Sequence, residues 1–76
     1  MSKNITKGGV EVRPGQVWKD LDWRMGDRHC RVLSVAEGYA RMQCCNSTGY
    51  ILMERVTKVA VRRMHRHSTG WALVSK

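Results

Sequence analysis

Turn signals cut this chain into pieces that are mostly too short for anything but strands. Pro14-Gly15, Gly26-Asp27, Glu37-Gly38, Asn46-Ser47-Thr48-Gly49 and Ser68-Thr69-Gly70 punctuate its 76 residues. Proline presets one central turn position and glycine allows positive φ at the next. Between these signals lie short apolar segments at residues 16–20, 29–37, 39–45, 50–53 and 71–74. In residues 29–37, Arg31, Leu33 and Val35 alternate with Cys30, Val32 and Ser34. In residues 39–45, Ala40, Met42 and Cys44 alternate with Tyr39, Arg41, Gln43 and Cys45. A period of two reads as strand, and the short break at Glu37-Gly38 makes these two segments a hairpin. Residues 54–64 fit two patterns. A helix would align Val56, Val59, Ala60 and Arg63, whereas a strand would put Thr57, Val59 and Val61 on one face. Three valines and a threonine favour the strand, with a short helical turn near Arg62-Arg63-Met64 to re-aim the chain.

The expected fold is all-β: a small SH3-like, partly open barrel of four or five antiparallel strands. A five-stranded OB barrel is the alternative, but it usually needs a longer chain and a helix between its third and fourth strands. Residues 13–76 would form the single domain, and residues 1–12 a flexible leader without the apolar stretch of a signal peptide. A chain this short builds a thin core. With no Phe, the aromatic bulk falls to Trp18, Trp23, Trp71, Tyr39 and Tyr50. Trp18 and Trp71 are expected in the core, on the first and last strands, with Met25, Met42, Met53 and Met64 filling gaps. No apolar run approaches the roughly 18 residues of a membrane span, so no membrane partner is expected. The three cysteines are expected as free thiols in a reducing cytoplasm. His29-Cys30, Cys44-Cys45 and His65-x-His67 hold potential metal ligands but lack paired C-x-x-C spacing, and adjacent strand residues point to opposite faces. No metal and no cofactor are expected. No catalytic motif is present either, so enzyme activity is not expected.

Charge sets the functional expectation. Fourteen Lys and Arg face six Asp and Glu, a net charge of +8 that sits within the body of the chain. A small basic fold of this kind suits nucleic acid, with phosphate contacts dominant and sequence preference weak. Three regions are candidates for the contact. In residues 20–28, Trp23 would stack on a base while Arg24 and Arg28 meet phosphate, or Asp–Arg pairs would simply staple the loop. In residues 62–67, Arg62, Arg63 and Arg66 form the densest cationic cluster, and guanidinium forks suit phosphate. On the hairpin, Arg31 and Arg41 with Tyr39 would make a platform for single strands. The alternative is a protein-interaction module that docks on an acidic host protein. The molecule is expected to be a monomer or a weak homodimer paired through an open sheet edge.

The runs Pro14-Gly15-Gln16-Val17-Trp18, Asp20-x-Asp22-x-Arg24, Arg28-x-x-Arg31-Val32-Leu33 and Ser68-Thr69-Gly70-Trp71-x-Leu73-Val74 resemble a group of small uncharacterised phage- and prophage-type bacterial proteins. The likeness covers about four-fifths of the chain. It implies an SH3-like barrel and a mobile-element origin, and it carries no catalytic residues. The chain departs from the group's pattern in a longer segment at residues 44–56 and at Met64-His65-Arg66-His67.

Overall fold

The computed structural model describes residues 4–75, with the side chain of Met25 outside the description. Five strands form one antiparallel sheet: β1 (Val17–Asp20), β2 (His29–Ala36), β3 (Tyr39–Cys45), β4 (Ile51–Ala60) and β5 (Trp71–Ser75). Their order is β4-β3-β2-β1-β5, so β4 and β5 are the edges and the sheet is not closed. This is the all-β, partly open architecture of antiparallel strands expected from the sequence. Residues 54–60 are strand, and the short helical turn lies at Val61–Arg63, a 3-10 turn. A second 3-10 turn, Trp23–Met25, interrupts the loop after β1.

The hairpin between β2 and β3 turns on Glu37 and Gly38, both at positive φ (55° and 78°). That pairing matches the type I′ geometry whose twist suits a two-residue hairpin. The alternation read from the sequence holds along β3, where Ala40 and Met42 are buried and Tyr39 and Arg41 exposed. In β2 it breaks at a bulge: Val32 pairs with Met42 but Ser34 pairs with Arg41, leaving Leu33 as an extra residue. The facing therefore flips. Ser34, expected beside Cys30 and Val32, is exposed, and Val35 packs on the core instead. A bulge of this kind shifts phase and adds twist, which helps a five-stranded sheet curl around a small core.

That core holds Val12, Trp18, Cys30, Val32, Ala40, Met42, Val61, Met64 and Trp71. The 3-10 turn after β4 plugs one end of it. The Val61 amide donates to the Gly38 carbonyl at 2.9 Å, and Val61 and Met64 are fully buried. Trp18 and Trp71 both belong to the core as expected, whereas Met53 is exposed.

The N-terminal boundary expected at Arg13 lies further back. Residues 4–12 fold onto the sheet: Ile5 bridges Glu11, the Val12 amide donates to the Asn4 carbonyl at 2.8 Å, and Val12 enters the core. Residues 1–3 of the expected leader lie outside the description. Gln16 secures this segment. Its Oε1 accepts from the Arg13 amide (2.9 Å) and the Trp18 indole (3.1 Å), and its Nε2 donates to the Glu11 carbonyl (3.0 Å). A buried amide with three such bonds is a clasp, and nothing in the local period of the sequence announces it.

Candidate nucleic-acid interface

The cationic face is built by register. Residues directly opposite in an antiparallel ladder share a face of the sheet. Arg31 pairs with Gln43, which pairs with Val56; Ser34 pairs with Arg41, which pairs with Lys58; Ala36 pairs with Tyr39, which pairs with Ala60. Arg31, Tyr39, Arg41, Gln43 and Lys58 therefore lie together on the side of β2, β3 and β4 away from Met42 and Ala40. Arg31, Tyr39, Arg41 and Lys58 are exposed. Lys58 Nζ sits 4.4 Å from the centroid of the Tyr39 ring, a cation–π contact. Arg41 and Lys58 are direct cross-strand partners of like charge, an arrangement that opposes folding unless an anion intervenes.

The cluster at residues 62–67 divides between two places. Arg62 and Arg63 are exposed on the 3-10 turn that docks at Gly38, beside the Tyr39 end of the cationic face. Arg66 lies past this turn, where the Trp71 amide donates to the His65 carbonyl (2.9 Å) and the Leu21 amide to the Gly70 carbonyl (3.0 Å). It faces a cleft of about 490 Å³ shared with Lys7, Trp18, His65 and Trp71. The His65 and His67 rings lie 4.5 Å apart.

Residues 20–28 show the stapled arrangement for their arginines. Asp22 Oδ1 accepts from the Arg24 amide (3.1 Å) and Nε (3.0 Å), and Asp22 Oδ2 pairs with Arg24 Nη2 at 2.8 Å. These contacts lower the Asp22 carboxyl below its ordinary range and raise the Arg24 guanidinium. Asp20 caps the loop entry through the Asp22 amide (3.0 Å) and stands 3.6 Å from Arg28 Nε. Arg28 also approaches the Trp71 ring, at 5.9 Å from its centroid. Trp23, in contrast, is 83% exposed and covers nothing. It lies at the His29 end of β2, while Arg62 and Arg63 lie at the Ala36 end. Eight strand residues at about 3.3 Å each separate the two by roughly 20 Å or more.

Arg24 and Arg28 are thus engaged by Asp22 and Asp20, whereas Arg31, Arg41, Arg62, Arg63 and Arg66 stand apart from these loop carboxylates. Sequence reasoning did not single out Lys58 for this face. Only the register of β4, left open between strand and helix, brings it opposite Arg41. No group of three or more His, Cys, Asp or Glu side chains among the described residues is arranged to hold a metal. No helix among them is long and apolar enough to cross a membrane.

The motifs that carry the phage-type resemblance all have folding roles: Gln16 clasps, Trp18 and Trp71 fill the core, Asp20, Asp22 and Arg24 staple the loop. No family model, curated protein or solved structure matches the chain, so the resemblance rests on those motifs alone.

Proposed function

We propose that this domain binds nucleic acid in the cytoplasm, mainly through phosphates and with weak sequence preference, on the face formed by Arg31, Tyr39, Arg41 and Lys58. Arg62 and Arg63 extend that face at one end. The observation that carries this reading is the Arg41–Lys58 pair: two exposed cations held opposite each other across β3 and β4, in a pocket that they share with Tyr39 and Glu37. A phosphate between them would convert repulsion into two charge-assisted contacts. Tyr39 supplies an aromatic surface beside the cations, the combination that single-strand binders use.

A titration of the purified, nuclease-treated protein tests this, with exposed Trp23 as the fluorescent reporter. Duplex DNA, single-stranded DNA and single-stranded RNA would each be added at about 50 and 200 mM salt. The affinity should fall steeply with salt. Arg41→Gln should flatten the log–log slope by about 0.9 on duplex or about 0.7 on a single strand. An unchanged slope removes Arg41 from the interface, and no binding at the lower salt ends the reading.

The second reading, docking on an acidic protein, is favoured by the exposed apolar row near β4: Tyr50, Leu52, Met53 and Val56. In that case affinity should depend on Leu52 and Met53 more than on salt.

A further inference from the structure

Cys30 and Cys44 are direct partners across β2 and β3, on the core side of the sheet. The hydrogen-bond phase fixes which kind of pair they form. The Val32 amide donates to the Gln16 carbonyl and the Asp20 amide to the Arg28 carbonyl, both toward β1. Residues 28, 30 and 32 therefore direct their backbone polar groups at β1, and Cys30 is a non-hydrogen-bonded partner of Cys44. Such pairs hold their Cα atoms about 4.5 Å apart, with side chains close. That spacing lies within the range a disulfide spans, about 4.4–6.8 Å.

The two thiols are not equally placed. Cys30 is buried, and burial raises its thiol above the ordinary range, partly offset by Arg28. Cys44 is half-exposed, and both line a cavity of about 380 Å³ with Arg28, Met53, Arg55 and Thr57. Arg55 is exposed at this cavity. Cys45 is buried on the opposite face, paired with His29, and does not line it. The cavity thus combines one reachable thiol, a second thiol behind it and two guanidiniums.

We infer that Cys30 and Cys44 are a dithiol site that reacts with anionic low-molecular-weight disulfides of the glutathione type and closes to a cross-strand disulfide. The Cys44 thiolate attacks one sulfur of oxidised glutathione and expels a glutathione thiolate, which takes a proton. Cys30 then loses its proton and attacks Cys44 Sγ, expelling the second glutathione. Two protein thiols are oxidised, and one glutathione disulfide becomes two glutathione thiols. Arg55, exposed at the cavity, attracts the glutathione carboxylates, and the cavity gives Cys44 access.

The test uses the reduced full chain, oxidised glutathione, alkylation of the remaining thiols and mass spectrometry of tryptic peptides. The expected result is loss of two of the three titratable thiols, with Cys30 linked to Cys44 and Cys45 alkylated. Cys30→Ala should stop at a stable glutathione adduct on Cys44, and Cys44→Ser should yield no adduct on Cys30. Three thiols remaining in the wild-type chain, or a bridge that includes Cys45, overturns the proposal. Arg55→Gln should slow the reaction several-fold with oxidised glutathione while leaving the rate with uncharged 2-hydroxyethyl disulfide unchanged. Equal slowing with both, or none with either, overturns the role of Arg55.

Discussion

Gly70 offers a sharp stability prediction. A Cβ placed on it would lie 2.0 Å from the His65 carbonyl oxygen, 2.5 Å from His67 Cδ2 and 2.8 Å from His67 Nε2. The exposed His67 ring can swing away at little cost. The His65 carbonyl cannot, because it accepts the Trp71 amide at 2.9 Å and so anchors the start of β5. Relieving the clash needs a shift of about 1 Å, which breaks that bond and displaces a core tryptophan. A lost backbone hydrogen bond costs about 0.5–1.5 kcal/mol, and overpacking costs about 1–3 kcal/mol. Gly70→Ala is therefore expected to destabilise the domain by about 2–4 kcal/mol. The typical total for a domain of this size is about 4–11 kcal/mol. Tm should fall by about 10–25 °C, and the urea midpoint should fall with its slope unchanged. Gly8→Ala is the control. Its Cβ meets only Thr6 Oγ1, at 3.7 Å, and a change within about 0.5 kcal/mol is expected. A Gly70→Ala protein as stable as its parent would refute the close packing of residues 65–70 against β5.

Gln16→Ala should cost about 2–4 kcal/mol in chemical denaturation, because it strands the buried Trp18 indole and frees the 4–12 segment from β1. Arg41→Gln removes the like charge facing Lys58 without touching the Lys58–Tyr39 contact, and should raise stability by about 0.2–0.5 kcal/mol at low salt, a gain that fades as salt is added; a loss would contradict the repulsion. Burial raises the Cys30 and Cys45 thiols. The folded chain then binds more protons than the unfolded one above the ordinary thiol range, so the thiol contribution to stability is constant below about pH 8.5 and falls above it. Chemical denaturation across that range should show the decline, and Cys30→Ala should make it shallower.

The strands, the hairpin and the late 3-10 turn were legible because alternation and turn chemistry are local. Three features were not, each for a physical reason. The Leu33 bulge flips the facing of Ser34 and Val35, and one extra residue leaves no mark in a pattern of period two. Residues 4–12 look like a leader because their cohesion comes from Gln16 and from Val12 in the core, both tertiary. Within the candidate site, alternation along β3 puts Tyr39 and Arg41 on one face, and the β2–β3 register adds Arg31. Lys58 depended on the β3–β4 register, which no single segment encodes.

The distribution of ion pairs also bears on what the charge is for. Solubility alone would be served equally by cations at any exposed position. Here Arg13, Lys19, Arg24 and Arg28 each stand beside an Asp or Glu, and these pairs fix loops. Among the other described cations, Lys7 and Arg66 line the cleft at Trp71 and Arg55 the cavity at Cys44, but five lie together. Arg31, Arg41 and Lys58 are aligned by register on one sheet face, and Arg62 and Arg63 adjoin it through the turn that plugs the core. The fold keeps Lys58 opposite Arg41 even though a neutral residue there would relieve repulsion. The contact of Lys58 with the Tyr39 ring offsets part of that repulsion, and a phosphate backbone, which brings anions in series, would offset the rest. The same reasoning makes the stabilising effect of Arg41→Gln and its loss of nucleic-acid affinity two readings of one repulsion. A variant that gained stability but bound as tightly as the parent would separate them and move the interface elsewhere on the domain.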